Sequence, residues 1–260
     1  MIHKEMSMSG ALQGKVAIVT GASANLGKLF AEALAADGAK VVIHYNSASK
    51  RDAAAKVAQG INASGGKSIT HQSDLTQVGE VKQLVDATLE HFGQWDILVT
   101  TAGMVDREPI AEFSETELDR LFQINAKIPF LLMRQASKRM ADHGQILNMI
   151  TTAIVFPAST YGGYAGSKNP VEHFTKLLTK EIGKRGITVN CVAPVSSKGS
   201  FLYSARTDET SAWLKSMSID GNIGEPIDIL PMVRFLASPL AKRARTQTLF
   251  ASRVLVATVN

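Results

Sequence analysis

Short runs rich in valine, isoleucine and leucine return along this chain at intervals that leave room for one helix between neighbours. They occupy residues 15–20, 41–45, 68–72, 96–100, 144–150 and 187–192. The first of them, 15–20, is a continuous apolar run, as expected of a parallel strand buried on both faces. The segments between them carry helical spacing. The first runs through Phe30, Ala33 and Leu34 to Gly38, and a second spans 50–64 and stops at Gly65 and Gly66. A third, 78–92, presents Val81, Leu84, Val85 and Leu89 on one side and closes at Gly93. Longer ones cover roughly 115–141 and 161–184. Repeated βα units with short connections predict one doubly wound parallel α/β sheet with helices on both faces. No repeat, linker or low-complexity segment divides the chain, so residues 1–260 read as a single domain, with 1–11 a flexible extension.

In such sheets ligands bind beyond the carboxyl ends of the strands. The loops at Gly21, Asp74, Gly103 and Thr151 each follow a predicted strand, so they should gather on one edge. The first of them, Gly21-Ala22-Ser23-Ala24-Asn25-Leu26-Gly27, lies between a strand and a helix. Small residues there let the backbone approach a pyrophosphate whose charge meets the helix N-terminus. Tyr164 and Lys168 are four apart in a helical segment and so share a face. An ammonium beside a phenol favours phenolate, and a phenol tuned that way exchanges protons with an alcohol or carbonyl oxygen.

Composition narrows the alternatives. At 45% hydrophobic and 20% charged residues, the chain has the balance of a soluble globular protein. No apolar run approaches the roughly 20 residues that span a bilayer, and residues 1–13 hold no apolar signal core. Cys191 is the only cysteine, which excludes an internal disulfide and a cysteine-based metal site. A reducing, cytoplasmic setting is expected, with no metal. The net charge of +5 is mild, and its densest patch, Lys242, Arg243 and Arg245, is too short and too poor in aromatics for nucleic acid. That balance still suits attraction of an anionic cofactor.

Taken in order and spacing, these motifs resemble the short-chain dehydrogenase/reductase family from about residue 12 to residue 248, which implies a Rossmann-like sheet of about seven strands. Residues 20–27 are similar to the family's T-G-x-x-x-G-x-G loop, with Asn25 in place of the middle glycine, a residue tolerant of left-handed angles. Asp74-Leu75 matches the adenine-contacting pair, and Thr100-Thr101-Ala102-Gly103 stands in the N-N-A-G position. The resemblance implies that Tyr164 is the proton donor or acceptor. It also implies that Lys168 lowers the tyrosine pKa and holds the nicotinamide ribose, and that Asn125 holds a proton-relay water. Thr151 falls where the family has serine, positioned to orient a substrate oxygen.

Cofactor choice in such folds is read at the end of the second strand, where a carboxylate would favour NAD and repel a 2′-phosphate. Here residues 44–51 carry no acid, and Tyr45, Asn46 and Ser47 resemble the segment of NADPH-using members; NADP(H) is expected over NAD(H). Pro194 and Ser197 complete the implied cofactor contacts. Val195 and Gly199 replace a glycine and a carboxamide-anchoring threonine, residues 201–217 with Leu202, Tyr203, Trp213 and Met217 take the place of a substrate lid, and 253–260 match nothing in the family. With Phe156, Pro157 and Tyr161, the lid implies a hydrophobic or cyclic carbonyl or alcohol substrate. The resemblance further implies a homotetramer or homodimer through the 115–141 and 161–184 helices. Two functions follow: an NADPH-dependent reductase of ketones or aldehydes, or a nucleotide-binding sensor or scaffold with little turnover.

Overall fold

Val16–Thr20 (β1) is buried at every position, as its apolar residue run requires of a strand in the interior of the sheet. The computed structural model describes residues 10–194, 212, 215, 216, 218, 221, 222 and 224–251. β1 is followed by α1 (Asn25–Ala36), β2 (Lys40–Tyr45), α2 (Arg51–Ala63), β3 (Lys67–Gln72), α3 (Glu80–Phe92) and β4 (Ile97–Thr100). Then come α4 (Glu115–Phe122), a π-helical turn (Gln123–Lys127), α5 (Ile128–Arg139), β5 (Gln145–Met149), α6 (Gly162–Ile182) and β6 (Thr188–Pro194). The series ends with α7 (Leu230–Ala237) and β7 (Thr248–Ala251).

All seven strands are parallel, in the order β3-β2-β1-β4-β5-β6-β7. The chain reverses its direction of travel across the sheet between β1 and β4, which is the switch point where such folds take their ligands. Alternate strand residues feed two cores. Ala17, Val19, Val41, Ile43 and Val99 pack with Phe30, Leu34, Val57 and Val233 from α1, α2 and α7. Ile18, Val42, Leu98 and Ile146 pack with Leu84, Val85, Leu132 and Leu178 from α3, α5 and α6. A buried carboxylate fastens the first layer, where Asp37 accepts from Arg234 Nε at 2.7 Å and so ties the end of α1 to α7.

The doubly wound reading is what the structure shows, and the departures from it are local. The helix expected over 115–141 is interrupted: the N–H of Ile128 reaches Gln123 O, five residues back, so one extra residue bulges at Asn125. The helix expected from 78 starts at Glu80, because Gly79 sits at φ 91, outside helical geometry. β6 extends two residues further than expected, to Pro194, since Ala193 and Pro194 pair with Phe250 and Ala251. No helix among the described residues is long and apolar enough to cross a membrane. No group of His, Cys, Asp or Glu among them is arranged to hold a metal.

Candidate active site

Because every strand points the same way, the loops after β1, β3, β4 and β5 open on one edge. The loop after β1 turns sharply at Gly21, whose φ is +65. Gly27, in the first turn of α1, lies so close to that turn that a Cβ there would stand 2.6 Å from Thr101 Oγ1 and closer still to the Gly21 carbonyl. Only glycine lets α1 start directly against the strand. Asn25, in the place of the family's middle glycine, is left-handed at φ 50, a conformation asparagine tolerates. Ser23 is half-buried and Leu26 packs on the α1 core. Thr101 donates its hydroxyl to Thr20 O, and Ala102 N donates to Thr20 Oγ1 at 3.1 Å, so the loop after β4 is riveted to the end of β1.

The start of α1 is suited to an anion. Ala24 offers no side-chain cap and the first turn holds no acidic residue, so α1 itself supplies no anion to the positive end of its dipole. A pyrophosphate fits that chemistry. At the end of β3, Asp74 accepts from Thr76 N at 3.1 Å, Thr76 Oγ1 at 2.7 Å and Gln77 Nε2 at 3.3 Å. These donors hold its carboxyl below the ordinary range, so it is an anion with its orientation set. Leu75, beside it, is buried in the second core. After β2, Asn46 is exposed and Ser47 half-exposed, with Ser47 Oγ 2.9 Å from Ser49 Oγ. Tyr45, in contrast, is buried in the first core, so its side chain serves packing.

The proton-handling residues come together on α6 and β5. Gly163, Tyr164, Ser167, Lys168 and Val171 form the buried stripe of α6, the spacing that follows from 3.6 residues per turn. Burial raises the Tyr164 phenol to about 12, against a hydrogen bond from the Thr151 side chain that favours the phenolate. Tyr161 meets Tyr164 edge-on, with ring centroids 6.1 Å apart, and the Arg107 guanidinium lies 4.6 Å over the Tyr161 ring. Lys168 Nζ donates to Met149 O at 3.1 Å, and burial brings its pKa down to about 8. Besides burial, the side chains that act on the phenol are Thr151, Tyr161 and Arg107.

Asn125 sits on the π-turn, fully buried. Its Oδ1 accepts from Met104 N at 2.9 Å, and its Nδ2 donates to Met104 O at 2.8 Å and Ser167 Oγ at 3.0 Å. It therefore pins the loop after β4 to α6. Gly103, between them, leaves room for both neighbours: a Cβ there would stand 3.1 Å from Lys168 Nζ and 3.3 Å from Asn125 Oδ1. Pro194 is half-buried at the end of β6. Ser197, Val195, Gly199, the lid side chains Leu202, Tyr203, Trp213 and Met217, and the 253–260 tail lie outside the described residues.

Three residues of this edge carried no role in the sequence reading. Ser167 links Asn125 to the Tyr164 carbonyl, to which its hydroxyl donates at 2.8 Å. Arg107 lies close enough to act on the phenol. His44, within the acid-free 44–51 stretch, is 1% exposed, and burial lowers its pKa to about 4. It is neutral and internal, not a phosphate ligand; its signal was a polar residue inside an otherwise apolar strand.

Comparison with known proteins places this geometry among relatives. The family described as enoyl-(acyl carrier protein) reductase matches residues 21–252. Versicolorin reductase of Emericella nidulans is 35% identical over 246 residues, covering 89% of this chain and 91% of that protein. A short-chain type dehydrogenase/reductase of Picea abies is 37% identical over 238 residues, covering 87% of each. The solved structure of an angucycline C-6 ketoreductase, LanV, with bound NADP is similar at a TM-score of 0.89 and 34% identity, covering 95% of this chain and 98% of that one.

Proposed function

Since the chain belongs to the short-chain dehydrogenase/reductase family, we propose that it is an NADPH-dependent oxidoreductase that reduces a ketone or aldehyde carbonyl to an alcohol. The observation that carries this reading is the meeting of the buried Tyr164 and Thr151 side chains, on the same sheet edge where α1 begins without a side-chain cap. A bound NADPH supplies the hydride. Gly21, Ser23, Asn25, Leu26 and Gly27 would hold its pyrophosphate, Asp74 its adenine end and Asn46 with Ser47 its 2′-phosphate, while Ala102, Gly103 and Lys168 would face its nicotinamide end. LanV, a relative by structure, holds NADP.

The chain's own residues manage the oxygen. Tyr164 remains protonated throughout the neutral range, because burial holds the phenol at about 12. The free protein is thus poised as a proton donor, the state that carbonyl reduction requires. Thr151 aligns the substrate oxygen with that phenol. Asn125, fixed between Met104 and Ser167, is the proposed anchor of the relay that returns a proton to Tyr164. The matched family's description speaks of enoyl reduction, but two hydroxyl groups converging on one point suit a carbonyl oxygen. The apolar rim of Ile110, Val155 and Tyr161 supports a hydrophobic, small-molecule substrate.

Exposed Leu118, Phe122, Phe130 and Leu177 on α4, α5 and α6 support a homodimer or homotetramer through those helices. One continuous sheet supports reading residues 1–260 as one domain. The buried free thiol of Cys191 supports a cytoplasmic setting. The experiment is to mix purified protein with NADPH, a panel of ketones and an enoyl thioester, and to follow NADPH oxidation by absorbance. Oxidation with a ketone is expected. Tight NADPH binding without turnover on any substrate would instead make the protein a nucleotide-binding sensor. The substitutions Asn25, Thr101 and Thr151 do not support that alternative, since each occupies its position with a satisfied conformation or contact.

A further inference from the structure

His44 occupies the inner end of β2 and contacts two loops at once. Its Nε2 lies 2.9 Å from Ser73 O, and its Nδ1 lies 3.2 Å from Gly21 N. A carbonyl can only accept, so Nε2 carries the proton; Nδ1 is then the acceptor that takes the Gly21 N–H. The main chain reinforces the same junction, with Ala22 N donating to His44 O at 2.8 Å and Ser73 N donating to Tyr45 O at 3.0 Å. One neutral ring thereby joins the turn that begins the pyrophosphate loop to the turn that presents Asp74.

We propose that His44 is a positioning residue for the dinucleotide, an internal clamp whose imidazole sets the Gly21 loop and the Ser73–Asp74 turn in register, so that pyrophosphate and adenine are received by one pre-formed edge. The inference rests on the dinucleotide-binding reading above. It differs from a general packing role because the two hydrogen bonds run in opposite senses. Only a group that accepts at one end and donates at the other satisfies both, and protonation of Nδ1 removes the acceptor. The charged or titratable groups that reach the ring are His71, paired with it on β3, and Asp74 in the adjoining turn; Glu80 acts in turn on His71. With the ring titrating at about 4, the clamp holds throughout the neutral range and opens in acid.

Three substitutions separate the contacts. His44→Phe keeps a ring and removes both bonds. His44→Asn places an acceptor near the Nδ1 position, and His44→Gln places a donor near the Nε2 position. NADP+ binding is measured by calorimetry, and NADPH oxidation by absorbance once an active ketone is found. The dissociation constant of the Phe variant is expected to rise about tenfold to a hundredfold, the usual consequence of leaving a buried partner unpaired, with a much smaller fall in kcat at saturating cofactor. The Asn variant is expected to recover most of the affinity, and the Gln variant little. Between pH 6 and about pH 4, wild-type affinity should fall more steeply than that of the Asn variant.

An unchanged dissociation constant in the Phe variant overturns the clamp. If that variant does not fold, Asn and Gln decide, and equal affinities for the two overturn the assignment of Nδ1 as the critical contact. Failure of the wild-type protein to bind NADP+ at all is a separate result: it removes the dinucleotide reading itself.

Discussion

The two halves of the ligand edge are built differently. On the side of β1, β2 and β3, short internal bonds hold the turns: His44 joins Gly21 to Ser73, and Thr101 and Ala102 reach across from the loop after β4 to Thr20. Many of the buried polar groups there satisfy each other, and what is offered outward is backbone at a helix N-terminus together with the side chains of Asp74, Asn46 and Ser47. On the side of β4, β5 and α6, buried side chains meet with a chemically mobile proton among them. The first half is a shaped surface whose function depends on backbone position. The second depends on which atoms are present. Substitutions should therefore act on affinity in one half and on the chemical step in the other.

The largest expected effect lies in the second half. Tyr164→Phe removes the proton donor while keeping the ring that meets Tyr161 edge-on. Its turnover should fall by about 10²–10⁴-fold, the range for losing a general acid, while NADPH affinity stays close to wild type. Retained turnover would sink the mechanism. Gly27→Ala is the matching break in the first half. Its methyl would press on the Gly21 carbonyl and on Thr101 Oγ1, an overpacking that costs about 1–3 kcal/mol. Calorimetry should show weaker NADP+ binding and thermal unfolding a lower midpoint. If affinity were kept and turnover lost, the division between the halves would be wrong.

A smaller effect sharpens the boundary. Thr151→Val leaves the shape of the side chain and removes the hydroxyl that bonds the phenol and accepts from Ala153 N at 3.2 Å. Turnover should drop about tenfold, the weight of one hydrogen bond of roughly 1.5 kcal/mol, with little change in cofactor affinity. Thr151→Ser should restore it. A steady-state comparison of the three proteins reads both constants, and a Ser variant no better than Val would show that the methyl, not the hydroxyl, sets the geometry.

This division also explains what could be read in advance. The sheet was legible because valine-rich runs and glycine stops are local signals, and the loops after strands followed from parallel geometry alone. Tyr164 and Lys168 were legible as an i, i+4 pair, and the left-handed Asn25 from its side chain's tolerance. What stayed hidden depends on distant partners. His44 joins loops that lie 23 and 29 residues away in opposite directions, and nothing local announces such a bridge. The π-turn at Asn125 is a one-residue slip in a helix whose spacing otherwise looks continuous. The partner of Lys168 was hidden too, because adjacency on a helix fixes the face, but not which acceptor the ammonium takes; here it is Met149 O.

That last point yields the smallest effect and the most specific test of the buried pair. Lys168 titrates at about 8 in the folded chain against 10.5 for an ordinary lysine. Between those values the unfolded chain holds a proton that the native chain has released. Stability from this group therefore rises with pH across the window, and the burden of burying its charge is felt in full below about pH 8. Tyr164 acts in the opposite sense and later: its phenol ionises at 10 when unfolded and about 12 when buried, so its contribution is lost as pH passes from 10 towards 12. Both groups are present in the wild type, but only the tyrosine remains in Lys168→Met. Thermal midpoints of the two proteins, measured from pH 7 to pH 10, should show the wild type gaining on the variant by several degrees, at about 2–4 °C per kcal/mol for a chain approaching this size. A constant difference across that range would mean that Lys168 is as well solvated as a surface lysine, and that its bond to the Met149 carbonyl does not hold it in the dry interior of the site.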